Sequence, residues 1–147
     1  MQADLIRQLE ARRAGICRRW EDLLRVERSV SPLASPDILV HMFKLTLDEL
    51  FHSLASAHDA GKPEAASCPC GRNPLLTYFS AGRQATREAL VLAQAAQPSI
   101  LPADRDGAMA DLDFAYSRIA QREIESFCAV CQFRRTLESA PSLAGVS

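Results

Sequence analysis

Apolar residues recur along this chain at steps of three and four, the period that gathers them on one face of an α-helix. Leu5, Ile6, Leu9, Ile16, Cys17, Trp20, Leu23 and Leu24 follow it with charges between them, which predicts a first helix over residues 3–28. The segment Ser31-Pro-Leu-Ala-Ser-Pro36 interrupts the pattern. Ser35 then has the character of an N-cap, with Pro36 suited to the first helical position and Asp37 favourable to the helix dipole. The second predicted helix runs from Pro36 to about Ala57 and is the most apolar, through Ile38, Leu39, Met42, Phe43, Leu45, Leu47, Leu50, Phe51 and Leu54.

Residues 58–72 are rich in small and turn-forming residues and read as a loop. Asn73-Pro74 repeats the capping logic and opens a third helix to about Ala96, with Leu75, Tyr78, Phe79, Ala85, Ala89, Leu92 and Ala93 toward the core. Gly82 inside it costs about 1 kcal/mol relative to alanine. That cost makes sense where another helix approaches closely. Pro98 and Pro102 mark the next connection, and a fourth helix follows from about Ala103 to Arg135. Its apolar markers are Met109, Leu112, Ala115, Ile119, Ile124, Phe127 and Val130. No stretch alternates with a period of two. The expectation is all-α: an up-down four-helix bundle over residues 1–136, with globin-like helix packing as the alternative, and a flexible tail at 137–147.

Composition adds limits. The 147 residues are 48% apolar and 24% charged, as in an ordinary globular domain. A net charge of −1 gives no general attraction to nucleic acid or to an anionic membrane. No apolar run approaches the roughly 20 residues that span a bilayer. The charged N-terminus lacks the apolar stretch of a secretory signal, so the expected location is cytoplasmic. There the five cysteines are kept mostly reduced, which favours thiol or metal roles over structural disulfides.

Four of those cysteines form two pairs. Cys68-Pro-Cys70 precedes the third helix, and Cys128-Ala-Val-Cys131 falls near the end of the fourth. Thiols at i and i+3 face the same way on a helix. In an up-down bundle the two pairs share one end, so Cys68, Cys70, Cys128 and Cys131 are candidate ligands of a tetrahedral zinc site. The spacing leaves open a reversible disulfide, bare thiols or an iron–sulfur cluster. His52 and His58 fall near the same end and read as solvated, although either offers a replacement ligand. His41 reads as partly buried and Cys17 as a buried small hydrophobe. Haem has His41 and His52 as its candidate ligands, and nothing in their context marks either as one.

The CxC and CxxC pairing at these four positions resembles the zinc-thiolate switch of redox-regulated heat-shock chaperones. The resemblance implies that such thiolates lose zinc on oxidation, and no more. The layout of RRWEDLL around Trp20, SPDILVHMFKLTLDELFHSL and RIAQREIESF is similar to the N-terminal sensory domains of RsbR-type stressosome proteins. That similarity extends over roughly residues 3–135. It implies a dimeric, globin-related sensing domain without haem and without catalysis. CPCGRNP and FCAVC lie outside that pattern.

Catalytic signatures are missing from the sequence. There is no glycine-rich phosphate loop and no GxSxG elbow, and Asp48-Glu49 and Glu123/Glu125 are spaced so that their carboxylates diverge on a helix. The expected function is a non-enzymatic sensory or protein-interaction domain with a structural or redox-responsive zinc site, acting through a protein partner or self-association. The alternative is a small-molecule-binding or enzymatic helical domain, with Trp20, Tyr78 and Arg83 lining a cavity. Arg12, Arg13, Arg18 and Arg19, and the i, i+4 pairs Arg83/Arg87 and Arg118/Arg122, read as ion-paired solvated faces. Their other reading is a hold on an anion or an acidic partner.

Overall fold

The computed structural model describes residues 1–26, 32–56, 67–69 and 71–131, and every regular element among them is helical. In chain order these are α1 (Ala3–Ala11), α2 (Arg13–Val26), α3 (Pro36–Leu39), α4 (Phe43–Ala55), α5 (Pro74–Ala95) and α6 (Pro102–Val130). Short 3-10 turns occupy Pro32–Ala34 and Val40–Met42. None of these helices is long and apolar enough to cross a membrane. His58, Cys70 and the tail at 137–147 lie outside the described residues.

Two of the predicted helices are broken. The first divides at Arg12, whose backbone leaves helical geometry at φ −94° and ψ 5°. Its N–H bonds to the Leu9 carbonyl three residues back, at 3.0 Å, which tightens the last turn of α1. The second is interrupted by the turn Val40–Met42, so that α4 begins at Phe43. Ser35 stands at the N-cap of α3 in extended conformation, but its side chain makes no capping bond. Its carbonyl instead accepts from the N–H groups of Ile38 and Leu39.

α5 is the central element and packs against α1, α2 and α6. The order of its contacts gives the directions. Asn73 meets Ile124, Arg83 meets Ser117, Thr86 meets Tyr116 and Gln94 meets Arg105, so α6 runs antiparallel to α5. Trp20 meets Tyr78, Arg19 meets Glu88 and Asp4 meets Gln97, so α1 and α2 also run against α5. α3 and α4 run against α2 as well, through Arg25 to Asp37, Trp20 to Phe43 and Arg13 to Asp48. Both α4 and α5 therefore oppose α2, and the chain does not alternate strictly in direction from one long element to the next.

The core centres on the fully buried Trp20. Its ring stacks on Phe43 at 4.5 Å between centroids and lies 4.6 Å from Tyr78 and 6.4 Å from Tyr116. Its indole N–H donates to the Tyr78 carbonyl at 2.9 Å. Gly82, one turn beyond Tyr78, lies directly beneath the ring, and a Cβ there would meet three of its carbons. This is the close approach that the glycine implies. The buried hydroxyls are all engaged. Tyr78 pairs with Thr46 at 2.8 Å, and Thr86 donates to the Gly82 carbonyl at 2.9 Å. Thr86 has one proton and has given it away, so Tyr116 donates to Thr86 across 3.0 Å. Burial pushes both tyrosine hydroxyls above their ordinary range, which keeps them as neutral donors.

Several apolar positions depart from expectation. Leu45 is 73% exposed, and Ile38, Leu92 and Val130 also face outward. The buried stripe of α4 is Phe43, Thr46, Leu47, Leu50, Phe51 and Leu54, which leaves Leu45 on the opposite side. In α5 it is Leu90, not Leu92, that turns inward. His41 is exposed rather than partly buried, and Cys17 is half-buried rather than fully so. Burial raises the Cys17 thiol above its ordinary value, the largest influence on it.

Arg13, Arg19, Arg87 and Arg122 fulfil the ion-paired reading, whereas Arg83 bonds a hydroxyl and Arg118 lies over the Phe114 ring. Arg19 grips both oxygens of Glu88, and Arg122 grips both oxygens of Glu49 at 2.5 and 2.7 Å. The bonds from Arg122 hold the Glu49 carboxyl below its usual range. A depressed carboxyl contributes stability at pH above its unfolded value, near ~4.3, and loses it as pH falls through the folded value. Both partners are more than one-third exposed, so the pair contributes at most about 1 kcal/mol. Glu49→Gln is therefore expected to flatten the fall in melting temperature below about pH 4.3 while changing neutral-pH stability little. Identical acid profiles for variant and wild type, followed by circular dichroism, would contradict this assignment.

Candidate functional site at the cysteine-bearing end

Asn73 organises the end where α5 begins and α6 finishes. It is the N-cap of α5, and its side-chain oxygen accepts from the Leu75 N–H at 2.9 Å. A capping asparagine on a solvated helix leaves its amide nitrogen to water. Here the residue is 2% exposed, and the nitrogen donates to the Ile124 carbonyl at 3.2 Å and to Cys128 Sγ at 3.4 Å. One side chain thus satisfies an orphan N–H of α5 and fastens α5 to the last turns of α6.

The thiols are placed around this link. Cys128 is buried, on the inner face of α6. Cys131 is half-buried and stands just past the helix, where its extended backbone marks the C-cap. Cys68 is half-buried and packs against the core. Its carbonyl accepts from the Gly71 N–H at 3.0 Å, closing a turn that ends on Gly71 at φ +61°. Only glycine adopts that conformation without steric cost. Cys17, Cys128 and Cys131 are not in disulfides.

Cys68 precedes α5, and Cys128 and Cys131 close α6 at the same end, while Cys70 lies outside the described residues. A tetrahedral thiolate site with Zn–S bonds of about 2.3 Å requires sulfurs roughly 4 Å apart. Among the described residues no three His, Cys, Asp or Glu side chains gather in that way. Cys68, Cys128 and Cys131 are all described, and Cys128 is engaged by Asn73 instead. His52 is exposed on α4.

Trp20 and Tyr78, the candidates for a ligand cavity, are packed into the aromatic core with no exposed surface. Arg83 lies apart from them on the α6 side of α5, donating to Ser117 at 3.1 Å. The role of Asn73 beyond capping was not visible in the sequence. The one nearby mark in the sequence is its place between a thiol pair and a proline. Comparison with protein-family models, curated proteins and solved structures finds no match to this chain.

Proposed function

We propose that this chain is a sensory or protein-interaction module, without catalysis of its own, whose responsive element is the end joined by Asn73. The carrying observation is the pair of hydrogen bonds that the Asn73 amide nitrogen donates to the Ile124 carbonyl and the Cys128 sulfur. A change in the state of Cys128 takes away one of the two acceptors and loosens the start of α5 from α6. Oxidation does this, and so does capture of the thiolate by zinc shared with Cys68, Cys70 and Cys131. The spread of the described sulfurs favours the first. The filled aromatic core favours a module that works through its surface over one with a ligand cavity between the helices. This accords with what the RsbR-type resemblance implies, a domain that senses and passes the signal to a partner or a second copy.

Of the two architectures that the sequence allows, we infer globin-like crossing. The broken first and second helices support it, as does the shared opposition of α4 and α5 to α2.

Asn73→Ala is expected to cost about 2 kcal/mol, the upper part of the capping range, because a cap and an interhelical tie are lost together. Peroxide treatment of the wild type should lower stability in the same direction, and Cys128→Ser should remove that sensitivity. Wild-type stability and self-association unmoved by peroxide would overturn the thiol reading. One zinc per chain in protein purified without added metal, lost in Cys128→Ser, would replace it with the metal reading.

A further inference from the structure

We propose that the open furrow along the outer face of α5, flanked by Met109 of α6, docks an acidic amphipathic helix of a partner protein. The furrow has a volume of about 890 Å³ and extends along α5 from Ser80 to Leu92. Twelve residues of helix rise about 18 Å, the length of a little over three turns of a partner helix. Its chemistry is divided along that length. Val91, Leu92 and Met109 form an apolar stretch, with Val91 52% and Leu92 59% exposed. Arg83 and Arg87 stand one to two turns away on the same wall.

The charge available there is positive. Glu88 also borders the furrow, but its carboxylate is held by Arg19 at 2.7 and 3.1 Å and receives Gln84 as well. Arg87 is half exposed, reaches Asp113 at 3.4 Å, a long pair, and donates its Nε–H to the Met109 sulfur at 3.4 Å. Arg83 bonds the neutral Ser117 hydroxyl, and its buried Nε, like the buried Oδ1 of Asp113, has no hydrogen-bond partner among the described residues. Two guanidiniums therefore face one loosely held carboxylate. A helix with apolar residues at i and i+4 and carboxylates one to two turns away complements both halves, which is the helix-in-groove mode of recognition. A small amphiphilic anion is disfavoured. Val91 and Leu92 offer an open face, and ligand pockets bury most of their occupant.

The test uses the full chain and two synthetic 16-residue helical peptides that share a leucine face and differ in carrying Glu or Lys beside it. Fluorescence anisotropy should show saturable binding of the Glu peptide and at least about tenfold weaker binding of the Lys peptide. Arg87→Glu should reverse that preference, and Leu92→Asp should weaken both peptides by about tenfold. Both substitutions are at exposed positions, and thermal melts verify that the fold persists. Lys44→Ala, at an exposed position on α4 away from the furrow, should leave binding unchanged. No saturable binding of the Glu peptide, or binding indifferent to both substitutions, overturns it. So does decanoate binding without peptide binding, which would make the furrow a small-anion site. A peptide-free dimer that Leu92→Asp dissociates, seen by sedimentation, would assign the furrow to a second copy and overturn it likewise.

Discussion

Trp20→Ala is expected to destabilise the protein by about 3–5 kcal/mol, the range for deleting a large aromatic from a packed interior. Domains of this size are commonly stable by only about 5–15 kcal/mol, so the variant should be close to unfolding at physiological temperature. The cost has three sources. The indole is fully buried, and its removal leaves a cavity bounded by Phe43, Tyr78 and Tyr116. The ring contacts themselves contribute beyond area, by about 0.5–1.5 kcal/mol for a favourable aromatic pair. The N–H to the Tyr78 carbonyl is lost, although that carbonyl sits in a helix and keeps its helical partner. Trp20→Phe retains much of the stacking and should cost clearly less. Chemical denaturation followed by far-ultraviolet circular dichroism reads both. A Trp20→Ala midpoint within experimental error of wild type would mean that the indole is not at the centre of the core.

The sequence announced this centre because local chemistry and packing coincide there. Trp20 falls in the apolar stripe of its helix, and a glycine inside the predicted third helix marks where something large must pass. The start of α5 was equally legible, since Asn-Pro is a local signal that needs no tertiary context. Other features left no local trace. The break at Arg12 separates Leu9 from Ile16, seven residues apart. A heptad drifts only about 20° on a straight helix, so the stripe stays in phase across the break and the pattern reads as continuous. Leu90 and Leu92 are both plausible on periodicity, and the choice between them is made by tertiary packing, which buries Leu90 and leaves Leu92 exposed. Chain direction was the largest gap. The sequence does not encode whether α5 opposes or follows α4, because the long connection between Ala55 and Pro74 permits either. The cysteine-bearing end survived this gap, since it depends on α5 and α6 being antiparallel, which a short connection enforces. What the sequence did not reveal there is that Cys128 is claimed by an asparagine amide, a contact between residues 55 positions apart.

Gly82→Ala carries the second large effect, and its sign is the informative part. In an exposed helix interior the change stabilises by about 1 kcal/mol through helix propensity. Here the new Cβ would lie 2.5 Å from Trp20 Cε2 and 2.7 Å from Cη2, and nearer still to Cζ2. The ring cannot yield easily. Phe43 stacks on it, and its N–H is tied to the Tyr78 carbonyl on the same face of α5. The helices must separate or the indole must leave its rotamer, and overpacking of this kind costs about 1–3 kcal/mol net of smaller gains. The prediction is therefore destabilisation where propensity alone gives stabilisation. A Trp20→Leu background separates the two causes. With the indole gone the methyl group has room, and Gly82→Ala should become neutral or stabilising by up to about 1 kcal/mol. The coupling energy between the two sites would then be about 1–4 kcal/mol, the difference between the net effects in the two backgrounds. Equal effects of Gly82→Ala in both backgrounds would show that the glycine is retained for a reason other than the ring lying on it.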